Sequence, residues 1–461
     1  MAHKVLLLCC LLALVVCPPS LAEPVVIQNV PAIGWIAGRF SYHISALQAA
    51  LQAMGCDATY EHLMVTSGAG FRAAWPTPTG YDYSVTCIWP PGEDYLTNGA
   101  RAVGAKAVRD MFGSHEEAWG AICASIDQGR PVVAWEGCGA QVICGYDAQR
   151  KQLHVQSCNA GDRKYQVVPL SALAMAPPPL PQALECVFLE YDPNTPRPEF
   201  DWPTILARAV RFADYPATPG LFGRYAFGLA AYDAWAASLR GGADKAGARV
   251  DAAITETVAN TLSNARTAVS TVLREFATLH DAFPVAAEHY SAEALILKSI
   301  PKALAGGQDS LPWEARLDAM AESFATRGER ETVAQLVEQA KAEERQAVDA
   351  LRQALKDLAP PKPEPPPAEP PRDQTNAAEE HYQHGVELKR AGQLADAATE
   401  LRAAIAADPK HVKAHYALAW VLLDQKDKDG ATAEFKKVLE LAPDSDEGKE
   451  AKKALERIGQ P

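Results

Sequence analysis

A few groupings of side chains in this sequence have the types and spacing to do chemistry. The first is Ser41, His43 and Ser45, at the head of the run Ser41–Gly55, which reads SYHISALQAALQAMG. A hydroxyl close to an imidazole is the minimum for nucleophilic catalysis, with Ser41 or Ser45 attacking and His43 as base. Such pairs are also common in loops, where Ser45 is equally an N-cap and His43 a capping or packing residue. The second grouping is the thiols. Of ten cysteines, seven follow the leader: Cys56, Cys87, Cys123, Cys138, Cys144, Cys158 and Cys186. Cys138 and Cys144 are the candidates for a relocated thiol nucleophile. No pair is spaced Cys-x-x-Cys, so zinc-ribbon and thioredoxin chemistry have no support. In an oxidising compartment some would pair and an odd one would be left over; the other reading is that several are small buried residues. The third grouping is His381/His384 and His411/His415, spaced to share a metal on a helix. With no carboxylate or cysteine beside them they read as surface histidines, and no metal or cofactor is expected.

The elements that must position these groups come in two kinds. Residues 41–55 have the apolar spacing of a short amphipathic helix, followed by helical patterns at about 98–111 and 116–127, with Gly129 as a C-cap. From Pro131 the period changes to two. PVVAW (131–135), AQVICGYD (140–147), QLHVQS (152–157), KYQVVPL (164–170) and LECVFLEY (184–191) read as consecutive strands. Helices first and an antiparallel sheet after is an α+β layout.

That order, with the Ala46-Leu47 pair and Gly55 on the first helix, PVVAW, the Gly145-Tyr146-Asp147 turn and the segment SGAGFRAAW, resembles the papain-like cysteine-peptidase superfamily over about residues 28–192. The bacteriocin-leader peptidases and the butirosin-biosynthesis acyltransferase N-domain are the types it is most similar to. The resemblance implies a cysteine at the helix N-terminus, a histidine base and an orienting aspartate. Aligned on Gly55 and Ala46-Leu47, the nucleophile falls at Tyr42, the base at about Gly139–Gln141 and the aspartate near Ser157 or Cys158. All of these positions have lost the expected residue. What the resemblance leaves is a cleft, with Tyr42, His43, Trp135, Glu136, Gln141 and Tyr146 as its expected lining.

The remainder of the chain frames that domain. Val5–Val16 after Lys4, ending in Ser20-Leu21-Ala22, reads as a signal peptide over 1–22, so export to the periplasm or beyond is expected. A lipid anchor at Cys17 is the weaker alternative, because bulky Val16 stands where a small residue is wanted. A net charge of −13 argues against a nucleic-acid partner, and no run after the leader is long and apolar enough to cross a membrane. Residues 23–200 are expected to be the papain-like domain and 201–358 an all-α helical bundle, where Leu229, Tyr232, Trp235 and Leu239 mark one apolar helix face within a helix read as 225–239. Eight prolines between Pro360 and Pro371 make 359–375 a semi-rigid spacer.

Beyond it, a shift of 34 residues maps Gly385 onto Ala419, Leu388 onto Leu422, Ala397 onto Ala431, Leu401 onto Phe435, Ala404 onto Val438 and Pro409 onto Pro443. That period resembles tetratricopeptide repeats, in an α-solenoid over 376–461 with repeats at 378–411 and 412–445 and a capping helix. Lys426 departs from the usual glycine in the second repeat. The resemblance implies a protein partner or peptide segment, and so short a solenoid also favours self-association. The expectation from sequence is an exported, non-catalytic binding protein. The alternative is an active cysteine- or serine-dependent peptidase or acyltransferase with relocated groups, drawn from Ser45, His43 and Cys138.

Overall fold

The stretch with alternating apolar residues builds an antiparallel sheet. In the computed structural model of the chain, residues 23–34, 38–76, 94–136, 139–157, 165–174, 183–215, 225–241, 245–304, 312–325, 327–359, 374–390, 394–425 and 427–458 are described. The strands are β1 (Val25–Val26), β3 (Lys106–Phe112), β4 (Val132–Glu136), β5 (Gly139–Asp147), β6 (Gln152–Gln156), β7 (Gln166–Pro169) and β8 (Leu184–Glu190). They lie in the order β3-β8-β4-β5-β6-β7, and β1 pairs with β5 where β4 has ended. Side chains alternate between faces. Val133, Val142, Cys144 and Val187 join one core with helices α1 (Tyr42–Ala53) and α2 (Tyr60–Ser67). Val132, Ala134, Ile143 and Val155 face the other way, onto Ala118, Ile122 and Ile126 of α4 (His115–Asp127).

Local chemistry sets the helix ends. Thr59 caps α2 by accepting from His62 N at 3.2 Å, and Ser114 caps α4 by accepting from Glu117 N at 3.2 Å. Gly68 ends α2 with φ +92°, and a Cβ there would lie 2.3 Å from Arg208 Cδ, so both the backbone sign and the space require glycine.

Two helical expectations are corrected. The helix expected over 98–111 is α3 (Tyr95–Ala102) only; Gly104 turns the chain at φ +78° and Lys106–Phe112 pairs along its whole length with β8. The sequence KAVRDMF sits on the sheet edge, half exposed, so its period is blurred. The helix expected from Tyr225 begins at Leu229, because β9 (Tyr225–Phe227) pairs with β2 (Ala74–Pro76).

The helices after residue 200 are α5 (Trp202–Ala213), α6 (Leu229–Gly241), α7 (Lys245–Glu275), α8 (Ala282–Leu304), α9 (Trp313–Phe324) and α10 (Arg327–Leu358). They do not close on themselves. Trp202, Leu206, Val269, Phe283, Tyr290 and Leu351 share a core with Leu47, Leu63 and Val142, so the border expected at residue 200 separates no cores. A second core gathers around Trp75 and Trp235, stacked at 5.0 Å and 12°. The compact units divide between Ala359 and Pro360.

The second unit holds α11 (Gln374–Arg390), α12 (Leu394–Ala407), α13 (Val412–Asp424), α14 (Lys428–Leu441) and α15 (Asp446–Ile458). Leu401, Ala419, Phe435 and Val438 are fully buried in its core. Gly385 is small because a Cβ there would lie 2.7 Å from Leu401 Cγ. Among the described residues, no helix is long and apolar enough to cross a membrane. Residues 1–22, Cys138, Lys426 and most of the proline spacer lie outside the described residues.

Candidate functional site

Ser41 precedes α1 in extended conformation, and Tyr42 and His43 open the helix. Tyr42 is half-buried and sits against Gly139, the first residue of β5, where an added Cβ would lie 2.7 Å from Tyr42 Cδ2. The positions to which sequence alignment assigns a nucleophile and a base are therefore neighbours in space. His43 is buried, with its ring 5.2 Å from that of Trp135 at 45°. Burial, then the charges of Arg109 and Arg72, depress the imidazole to about 3, so it is neutral at physiological pH.

Beside His43 is a small pocket lined by Ser41, Met64, Arg72, Tyr95 and Thr261. Arg72 and Tyr95 are buried, and burial raises the Tyr95 phenol. Asp94 closes this side. It caps α3 by accepting from Leu96 N and Thr97 N at 3.1 Å each, and it accepts from Arg109 Nη2 at 2.9 Å. Arg109 also donates to Glu185. Burial pushes both carboxyls up, but they end apart. The guanidinium and the helix-end donors hold Asp94 below the usual range, whereas Glu185 has only the shared guanidinium and stays raised. These groups escaped the sequence reading because β3 read as helix. Arg109 stands opposite Val187, two residues along from Glu185, a diagonal cross-strand pair visible only once β3 and β8 are paired.

The expected lining does not all come together. His43 and Trp135 meet on the side of the sheet that carries Ala140 and Val142. Gln141 alternates with Ala140 and Val142 and so lies on the opposite face, buried, with Nε2 donating to Trp135 O at 3.3 Å. Tyr146 is also on that opposite face; its ring meets Trp119 edge-on at 5.8 Å and its hydroxyl donates to Asp127 Oδ1 at 2.7 Å. The Tyr146 phenol is pushed up to about 12, first by that bond. The backbone of Glu136 pairs with Gly139, and its side chain lies outside the described residues.

The relocated nucleophiles fare poorly on geometry. Ser45 is fully buried one turn into α1, and its Oγ accepts from Gly34 N at 2.9 Å. Cys56, Cys123, Cys144 and Cys186 are free thiols, of which only Cys123 is not buried. Burial raises Cys123 to about 11 and Cys186 to about 12, away from the reactive thiolate.

In the second unit His381 and His384 lie at the surface, whereas His411 and His415 are largely covered, and carboxylates stand beside all four. His381 Nδ1 meets Glu400 Oε2 at 2.7 Å, and His415 Nδ1 meets Glu434 Oε2 at 2.6 Å. Both residues of the second pair lie 34 positions beyond those of the first, so the same bond straps the two helices of each repeat. His415 is only 5% exposed, and His411 caps α13 by accepting from Ala414 N at 3.1 Å. Tyr382, Val386, Tyr416 and Trp420 stand half-buried on α11 and α13, the first helix of each pair. Trp420 meets Phe435 edge-on at 5.3 Å.

Residues 382–446 match the tetratricopeptide repeat family. No curated protein matches the chain. The C-terminal helix pairs are thus tetratricopeptide repeats, an architecture whose general use is to bind proteins.

Proposed function

We propose that this chain is an exported, non-catalytic binding protein. Its tetratricopeptide module grips a protein segment, and a degenerate papain-like cleft beside α1 holds a peptide or acyl-type ligand. The observation that carries the second half is the contact of Tyr42 with Gly139. An aromatic ring stands where the resemblance puts a thiol, packed onto a strand residue with no side chain, so a wall replaces a nucleophile and base. The neighbouring imidazole does not restore catalysis. A general base works best with a pKa near the operating pH, and His43 is held at about 3. The ligand-facing groups are Tyr42, His43 and Trp135, with Arg72 and Tyr95 behind them, an apolar surface carrying a few polar groups.

For the module, the half-buried aromatics on α11 and α13 are the contact surface. Aromatic side chains supply large area at low entropic cost and dominate binding energy at protein interfaces. Site-specific photo-cross-linking in the full chain tests this. A cross-linker replacing Tyr416 should give a discrete protein adduct in the native cell, and one replacing the exposed Lys452 of α15 should not. Equal adducts from both positions, or none from position 416, would refute the assignment. Native mass spectrometry of freshly purified protein tests the cleft. The expected result is a bound small mass that is lost on Trp135→Ala; a bare polypeptide mass in both would exclude a retained ligand.

A further inference from the structure

The most deeply buried charges among the described residues meet where α6, α7, α8 and α10 touch the turn that follows α2. Arg266 of α7 and Glu293 of α8 are fully inaccessible, and Glu344 of α10 is 2% exposed. Arg266 Nε donates to Glu344 Oε2 at 2.8 Å and to Glu293 Oε2 at 3.2 Å. Its Nη2 donates to the Tyr232 hydroxyl of α6 at 3.3 Å, and that hydroxyl donates in turn to Glu293. Its Nη1 donates to the carbonyls of Gly70, at 2.5 Å, and Arg72, at 3.5 Å. The Tyr290 ring, from α8 itself, lies 5.6 Å from the guanidinium carbon.

The charges do not balance if every group ionises. One guanidinium faces two carboxyls, and among the described residues the charged groups that act on Glu293 are Arg266 and Glu344. A carboxylate in excess would be buried without a counter-charge, among the costliest states a core can hold. The pair therefore keeps one proton, and Glu293 is the holder. Burial, then the adjacent Glu344, raise its carboxyl well above the ordinary value against the pull of Arg266.

The same guanidinium that reads this balance holds the backbone of residues 70–72, and Arg72 is the buried cation in the pocket beside His43. We propose that the Arg266–Glu293–Glu344 centre is a proton-dependent lock. While the two carboxyls share a proton, Arg266 pins the Gly70–Arg72 turn to the helical layer and fixes Arg72 in the pocket. When that proton leaves to solvent, the second carboxylate draws Arg266 off the two carbonyls and admits water, and the turn is released. This holds whether or not the cleft takes a ligand, so its test uses none.

The test is amide hydrogen exchange by mass spectrometry on the full chain, following peptides that cover residues 68–73 from neutral to alkaline pH and correcting for intrinsic exchange. In the wild type, protection of the turn is expected to fall about tenfold per pH unit once the pair begins to lose its proton, because one proton is linked to release. In Glu293→Gln the neutral amide stands in for the protonated carboxyl, so protection stays flat. In Glu344→Gln, Glu293 becomes the sole carboxylate opposite Arg266, the charges balance and protection is again flat. Either variant suffices if the other fails to fold. Parallel loss of protection in the wild type and a folded variant, or a flat profile in the wild type, would overturn the lock.

Discussion

Tyr42 and Gly139 are complementary halves of one contact, the ring at the head of α1 filling the space that any side chain at the head of β5 would occupy. A Cβ on Gly139 would lie 2.7 Å from Tyr42 Cδ2 and 3.1 Å from Tyr42 Cβ. A side chain at position 139 has no room while Tyr42 keeps its ring. A change at one is therefore coupled to the other.

That coupling is measurable. Gly139→Ala should destabilise the chain by about 1–3 kcal/mol through overpacking. Tyr42→Ala in the same chain should recover at least about 1 kcal/mol of that loss, as contacting residues do in a double-mutant cycle. Additive losses in urea unfolding would mean that the two residues do not touch.

His43 gives a pH signature of known sign. Its unfolded value is near 6.5 and its folded value about 3, so the unfolded chain takes up the proton first. Its contribution to stability is complete above pH 6.5 and is lost as pH falls toward 3, at about 1.4 kcal/mol per pH unit. His43→Gln should flatten that part of the stability profile. In NMR, the His43 ring should not titrate between pH 5 and 8; a midpoint near 6.5 would place it in water.

The strap inside the second repeat runs the opposite way. Burial lowers His415, but the bond to Glu434 outweighs it and the net folded value is raised. Its contribution is therefore present below the unfolded value near 6.5 and is lost as pH rises through the folded one. The expected size is about 1 kcal/mol. Glu434→Gln should remove it, and with it the alkaline decline in the melting of the repeat unit followed in the full chain.

The aromatic face of α11 and α13 should behave as an interface hot spot. Tyr416→Ala with Trp420→Ala should weaken capture of whatever protein cross-links at that face by at least about 30-fold, the equivalent of about 2 kcal/mol. Circular dichroism should stay helical, because Leu401, Ala419 and Phe435 keep the core. Unchanged capture by a folded variant would move the interface elsewhere.

The sequence was most readable where one period ran uninterrupted. The strands from Val132 to Glu190 and the 34-residue repeat lie close to where alternation and spacing put them. It was least readable at sheet edges and across long separations. Lys106–Phe112 lacks a clean alternation because its edge position leaves both faces half wet. The merged core was hidden because Leu47 and Val269, far apart in the chain, join one core only in the fold. Of the expected cleft, His43 and Trp135 meet on one side of the sheet, and Tyr42 packs on Gly139. Gln141 went to the other by plain alternation, and Tyr146 did because the bulge between Ile143 and Gly145 shifts the count along β5. Arg109 carried no local signal, since its partners Asp94 and Glu185 are elements away.

The central claim is that no group beside α1 acts as a nucleophile. Labelling the folded chain with a fluorophosphonate for activated hydroxyls and an epoxysuccinyl probe for activated thiols tests it most directly. The expected result is no stoichiometric adduct with either probe at neutral pH. An adduct that forms in the native protein and disappears on Ser45→Ala or Cys138→Ala would contradict the account and establish an enzyme.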